Sequence, residues 1–133
     1  IPHNNETGYW WQGENARIAS LASALLMVKP YLTNESKKKA EIYAKDQINW
    51  ILGLNPFNTC MLDGIGHNNP EYIESVNVNY RGGICNGITS AFKNESDIAF
   101  MPLPHNNDPA HQWRWSEQLI PHAAWFMFNL SHL

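Results

Sequence analysis

Glu117 is a candidate catalytic acid, because it is a carboxylic acid with aromatic neighbours. Trp113 and Trp115 precede it by four and two residues. An apolar setting favours the protonated form of a carboxyl group, and a general acid that works near neutral pH needs that form. Arg114 allows another interpretation, in which it pairs with Glu117 and the carboxylate only caps a helix. The spacing alone leaves both interpretations open.

A second aromatic group lies in the N-terminal part of the chain. Trp10 and Trp11 lead into a predicted helix, and Glu14 stands at its start, where the helix dipole favours a carboxylate. Aromatic rings stack on sugars and amides bond to hydroxyl groups, and the chain has six Trp and sixteen Asn. The predicted sugar-binding residues are Trp10, Trp11, Glu14, Trp113 and Trp115. The alternative is that these tryptophans fill the core and the helix ends.

The histidines are only weak evidence for a metal site. His105 and His111 flank Asp108, but their spacing matches no familiar zinc arrangement, so we expect no metal ion. The chain also lacks a Gly-rich phosphate loop and a nucleophile motif, so we expect no cofactor.

Composition excludes several classes of protein. The 133 residues carry a net charge of -3 without a basic stripe, which argues against nucleic acid as a partner. No apolar run approaches the roughly 18 residues that a membrane span requires. The start has neither an initiator Met nor a signal segment, which favours a piece of a longer chain.

Apolar spacing predicts an all-α fold with about three main helices. The first covers Glu14–Lys29 and is apolar on nearly all sides, so we expect it to be buried on most sides. The second begins near Asn34 or Ser36 and ends at Leu52, before Gly53. The third covers Ser116–Ser131, with Ser116 as its N-cap and a bend or late start at Pro121.

About sixty residues between the second and third helices are rich in Gly, Asn and Pro. Loops of that length in a compact domain are usually functional. Short strands or a helical turn are expected around Gly87–Phe92, and a strand is expected at Ser75–Tyr80.

Two motifs in this sequence resemble glycoside hydrolase family 9. Trp50–Phe57, which reads WILGLNPF, is followed by the Gly-x-Gly of Gly64–His67. Near the C-terminus Glu117 precedes Ala124 by the spacing that separates Glu and Ala in the family. The resemblance covers roughly residue 40 to the end, plus one helix before it.

The resemblance implies an (α/α)6 barrel that hydrolyses β-linked glucans or related oligosaccharides with inversion. It implies that Glu117 is the general acid. The sequence departs from the family after the Gly-x-Gly, where the family's His-His-Arg element is replaced by His67-Asn68-Asn69-Pro70, and His67 is a further predicted substrate-binding residue. Inversion also requires a base carboxylate ~6.5–9.5 Å from the acid. In the family this is an Asp in an N-terminal motif, which has no counterpart here.

Residues 1–133 are therefore expected to be the C-terminal portion of a catalytic domain, inactive alone. The expected partners are an oligo- or polysaccharide and the remainder of that domain, with self-association of the fragment. The expected location is periplasmic or extracellular. The alternatives are a non-catalytic carbohydrate-binding helical module and another (α/α) barrel carbohydrate enzyme, such as an unsaturated uronyl hydrolase.

Overall fold

A computed structural model describes residues 12–71, 79–91 and 96–133. The predicted all-α class is confirmed, because helices dominate the described residues and the sheet found there has two short antiparallel strands. The elements, in chain order, are α1 (Asn15–Val28), α2 (Asn34–Ile51), β1 (Thr89–Ser90), β2 (Ile98–Ala99), α3 (Pro109–Ser116) and α4 (Ile120–Leu130).

The first two helices form an antiparallel hairpin with the predicted ends. A 3₁₀ turn at Lys29–Tyr31, which contains Pro30, separates them. Thr33 caps α2 by accepting a hydrogen bond from the Ser36 backbone N–H at 3.3 Å. After α2, Gly53 has a φ of 117°, a conformation that strongly favours glycine.

Within the described residues, α1 is buried on one side only. Ala19, Ala22 and Leu26 are buried, but the side chains of Leu21 and Met27 are 49% and 59% exposed. Both α2 and α4 pack on α1 within the described residues. The result is a helix with one buried face and one exposed apolar face.

The third predicted helix is two helices. Asp108 begins α3, since its Oδ1 accepts the Ala110 backbone N–H at 2.9 Å. Ser116 is the last residue of α3 and not an N-cap, because its hydroxyl donates back to the Gln112 carbonyl oxygen at 3.0 Å. The late start is confirmed: α4 begins at Ile120, with Pro121 in its first turn.

The loop-rich segment is built on side-chain amides and short backbone pairings. Asn55 organises the turn after α2, because its Nδ2 donates to the carbonyl oxygens of Trp50 and Thr59 at 2.8 and 2.9 Å. Strand β1 lies inside the predicted Gly87–Phe92 stretch, although residues 92–95 lie outside the described residues. Most of the predicted Ser75–Tyr80 strand also lies outside them.

The main core joins the helices to this segment. Its buried members are Ala19, Ile48, Ile51, Met61, Ile84, Cys85, Ile88 and Phe126. Among the helices of the described ranges, none has both the length and the apolar character to cross a bilayer.

Two isoleucines of α2 test this core. Ile51 is fully buried and Ile42 is 60% exposed. Ile51→Ala should lower the free energy of unfolding by ~2–5 kcal/mol, because it removes buried methyl groups and leaves a cavity. Ile42→Ala should change it by no more than about 0.5 kcal/mol. Urea denaturation followed by circular dichroism measures both, and equal losses would contradict the assigned core.

Candidate functional site

Three distant segments meet at Asn86. The Asn86 backbone N–H donates to the Glu117 carbonyl oxygen at 2.8 Å, and its own carbonyl oxygen accepts the Asn15 N–H at 3.0 Å. Beside these bonds, the Gly13 N–H donates to the Arg114 carbonyl oxygen at 2.7 Å. We call this region, formed by residues 13–15, 86–87 and 113–117, the Asn86 junction.

The Asn86 side chain adds two further bonds within this junction. Its Nδ2 donates to the Trp113 carbonyl oxygen at 2.8 Å, and its Oδ1 lies 2.7 Å from Nε2 of His122. Asn86 is fully buried, so each of these bonds satisfies a polar group that has no access to water. The side chain therefore fixes the end of α3 relative to α4.

Two glycines allow the segments to approach this closely. A Cβ at Gly13 would overlap the backbone of Asn86 and Gly87. Gly87 has a φ of 97°, and a Cβ there would lie 2.6 Å from the side-chain amide of Asn15. That amide is fully buried and donates to the Cys85 carbonyl oxygen at 2.8 Å. The junction is therefore closed to any larger side chain at these two positions.

His122 is neutral in this setting. Because the Asn86 Nδ2 donates to Trp113, its Oδ1 is the acceptor for Nε2–H of His122. The other ring nitrogen, Nδ1, is buried and has no hydrogen-bond partner among the described residues. A proton on Nδ1 would place a charge in a dry interior, and this burial lowers the pKa of His122 to about 4.

Glu117 lies at the break between α3 and α4. Its backbone is extended, its N–H donates to the Trp113 carbonyl oxygen at 3.3 Å, and its carbonyl oxygen accepts from Asn86. The side chain is half-buried, and no ion pair joins it to Arg114 within the described part of the chain. The guanidinium carbon of Arg114 lies instead 4.6 Å from the centre of the Trp113 ring. The interpretation in which Arg114 pairs with Glu117 is therefore not realised.

The two tryptophans before Glu117 have different settings. Trp113 is half-buried, and its Nε1 donates to the Ala110 carbonyl oxygen at 3.0 Å. Trp115 is fully buried, and its Nε1 donates to the Thr89 hydroxyl at 2.9 Å. A ring with both faces covered by protein cannot stack on a sugar. The sugar-binding prediction for Trp115 is therefore corrected to a role in the core.

The remaining predicted residues differ in their position relative to the Asn86 junction. Glu14 is one of the junction residues, and its carboxylate pairs with Arg17 at 3.0 Å on the surface. His67 is exposed, with Nε2 2.9 Å from Oδ1 of Asn58. Within the described ranges, no hydrogen bond joins His67 to the Asn86 junction. Trp10 and Trp11 lie outside the described residues.

Sequence reasoning missed Asn86 and His122, on which the junction depends. The Asn86-Gly87 dipeptide is a turn signal that marks the place, but it does not reveal its distant partners. The Asp108-Pro109 pair is a helix-start signal that would have located α3.

Comparison with known proteins gives one family. The family model described as Glycosyl hydrolase family 9 matches residues 3–84, more than half of the chain. The matched span contains Trp50–Phe57 and Gly64–His67, and it ends before Glu117. No curated protein matches the chain.

His122 predicts an acid-sensitive stability. The unfolded chain takes up a proton on this residue below about pH 6.5, whereas the folded chain does so only near pH 4. Stability should therefore fall as the pH is lowered from 6.5 to 4, by about 2–3 kcal/mol from this residue. Urea denaturation at several pH values measures it.

The control for this pH dependence is a pair of variants. His122→Gln keeps an N–H donor for Asn86 but cannot titrate, so its stability should fall less over the same range. His132→Gln changes an exposed histidine and should behave like the wild type. Parallel pH profiles for the wild type and His122→Gln would contradict the assignment.

Proposed function

Because the chain belongs to glycosyl hydrolase family 9, whose members are glycoside hydrolases, we propose that it works within a catalytic domain that cleaves β-linked glucan or a related oligosaccharide with inversion. In this proposal Glu117 is the general acid. It gives its proton to the oxygen of the bond that breaks, while a base carboxylate activates water on the other face of the sugar.

The setting of Glu117 is the observation that carries this proposal. Its backbone is bonded on both sides, to Trp113 and to Asn86, so its Cα position is fixed by buried structure. Its carboxylate has no hydrogen-bond or ion-pair partner in the described part of the chain. A reactive group on a rigid backbone, with its side chain available to a ligand, is what proton transfer to a bound substrate requires.

The base is assigned to the remainder of the catalytic domain. None of these 133 residues resembles the N-terminal Asp motif in which the family carries its base. Apolar side chains are exposed on α1 and α4, among them Met27 and Met127. They support a contact surface for the remainder of the catalytic domain. We therefore expect no turnover by the 133-residue chain alone, and self-association through that surface when it is isolated.

Trp113 is the proposed sugar platform beside the acid. It lies four residues before Glu117, it is partly exposed, and its ring is held by the Nε1 bond to Ala110. A ring with a fixed orientation loses little entropy when it stacks on a sugar. Glu14 belongs to the same junction and stays a predicted member of the subsite, as do Trp10, Trp11 and His67.

The first test is Glu117→Gln in the full-length parent protein. The amide keeps the size of the side chain and removes the proton, so hydrolysis of substrates with poor leaving groups should fall about 10²–10⁴-fold. Aryl glycosides with activated leaving groups need little protonation and should lose much less. The measurement is the ratio of the two losses in kcat.

The matched control is Glu35→Gln, which changes an exposed carboxylate of α2 that pairs with Lys39. It should leave both rates unchanged. Equal losses on both substrates for Glu117→Gln, together with a lower melting temperature, would assign Glu117 to a structural role.

The second test concerns the platform. Trp113→Ala should raise KM about 3–10-fold with a smaller change in kcat, because stacking stabilises the bound substrate and the transition state alike. Trp113→Phe should restore most of the affinity. Tyr31→Ala removes an exposed aromatic ring from the turn between α1 and α2 and should leave KM unchanged. The same rise in KM for both alanine variants would contradict a stacking role.

A further inference from the structure

Two histidines and an aspartate lie together where α3 begins. His105 belongs to a 3₁₀ turn at His105–Asn107, Asp108 is the N-cap of α3, and His111 lies in the first turn of that helix. The centres of the two imidazole rings are 4.7 Å apart. One ligand atom from each of the three residues lies within 4.8 Å of the other two.

The Asp108 carboxylate is held in place by hydrogen bonds to the helix backbone and to His111. Its Oδ1 accepts the Ala110 backbone N–H and its Oδ2 lies 2.9 Å from Nδ1 of His111. Nδ1 of His111 and Oδ2 of Asp108 are thus already as close as two ligands of one ion, and a metal ion that displaces the proton between them would contact both atoms.

We propose that His105, Asp108 and His111 bind a divalent transition-metal ion, for which Zn²⁺ has the best match of ligand type and number. Two imidazoles and one carboxylate are a common ligand set for Zn²⁺, with water in the remaining position. Tetrahedral ligands at Zn–N distances of ~2.1 Å lie about 3.4 Å apart. Side-chain rotations that move these atoms by roughly 1 Å therefore close the site.

The sequence did not predict this site, because the spacing of the two histidines fits no familiar zinc pattern. The 3₁₀ turn changes the geometry, since it folds His105 back over the first turn of α3. A bound ion would join that turn to the helix that carries Trp113 and leads to Glu117. The proposal does not depend on glycoside hydrolysis, and its test uses metal binding alone.

The experiment is a calorimetric titration of ZnCl₂ into the metal-stripped, untagged 133-residue chain. We expect one Zn²⁺ per chain, with a dissociation constant in the micromolar range or below, and a higher melting temperature when Zn²⁺ is present. No heat of binding and no change in melting temperature at millimolar Zn²⁺ would overturn the proposal.

Four variants locate the ion. His105→Ala and His111→Ala should each weaken binding by about tenfold or more. Asp108→Asn is the sharper variant, because asparagine caps a helix as well as aspartate but lacks the negative charge, and it should also weaken binding at least about tenfold. His132→Ala changes an exposed histidine elsewhere and should bind as the wild type does.

Circular dichroism checks that each variant folds. Unchanged affinity in a folded His105→Ala/His111→Ala double variant would overturn the proposal. A second readout needs no variant: Co²⁺ bound by two imidazoles and a carboxylate should give visible absorption bands of a low-coordinate site. Wild-type protein that leaves the visible spectrum of Co²⁺ unchanged would overturn the proposal equally.

Discussion

The described structure depends on the need to satisfy every polar group of one buried asparagine. The backbone N–H, backbone carbonyl, side-chain amide nitrogen and side-chain oxygen of Asn86 bond to four different residues. Those partners belong to the start of α1, the end of α3, the break after it and α4. Leaving one such group without a partner in the interior costs about 1–3 kcal/mol. A structure that lacked any of the four bonds would therefore be less stable by that amount.

The position of Glu117 follows from this constraint. The break between α3 and α4 is where backbone groups would otherwise be unpaired, and Asn86 supplies a donor to the Glu117 carbonyl oxygen there. Trp115, two residues before Glu117, is fully buried, and its Nε1 is bonded to Thr89 on β1. The loop-rich segment thus holds the backbone on both sides of the Glu117 side chain. Its own turns and amide bonds hold that segment in place.

Local signals in the sequence predicted the elements, and long-range contacts decided the site. The spacing of apolar residues, Pro30 and Gly53 predicted α1 and α2, because helix ends are set by neighbouring residues. The late start at Pro121 was predicted, but the helix that ends at Ser116 was not, and the break at Glu117 depends on a bond from Asn86, thirty-one positions earlier. The burial of Trp115 could not be predicted from the sequence either, since a tryptophan suits both a core and a sugar-binding platform.

The central claim is that the Asn86 junction presents Glu117 to a glycosidic bond. A crystal structure of the full-length parent protein with a bound, uncleaved oligosaccharide tests it most directly. The account predicts a Glu117 carboxylate oxygen within about 2.6–3.2 Å of a glycosidic oxygen, with Trp113 against a neighbouring sugar ring. An oligosaccharide bound at another face of the protein, with Glu117 remote from every sugar oxygen, would contradict it.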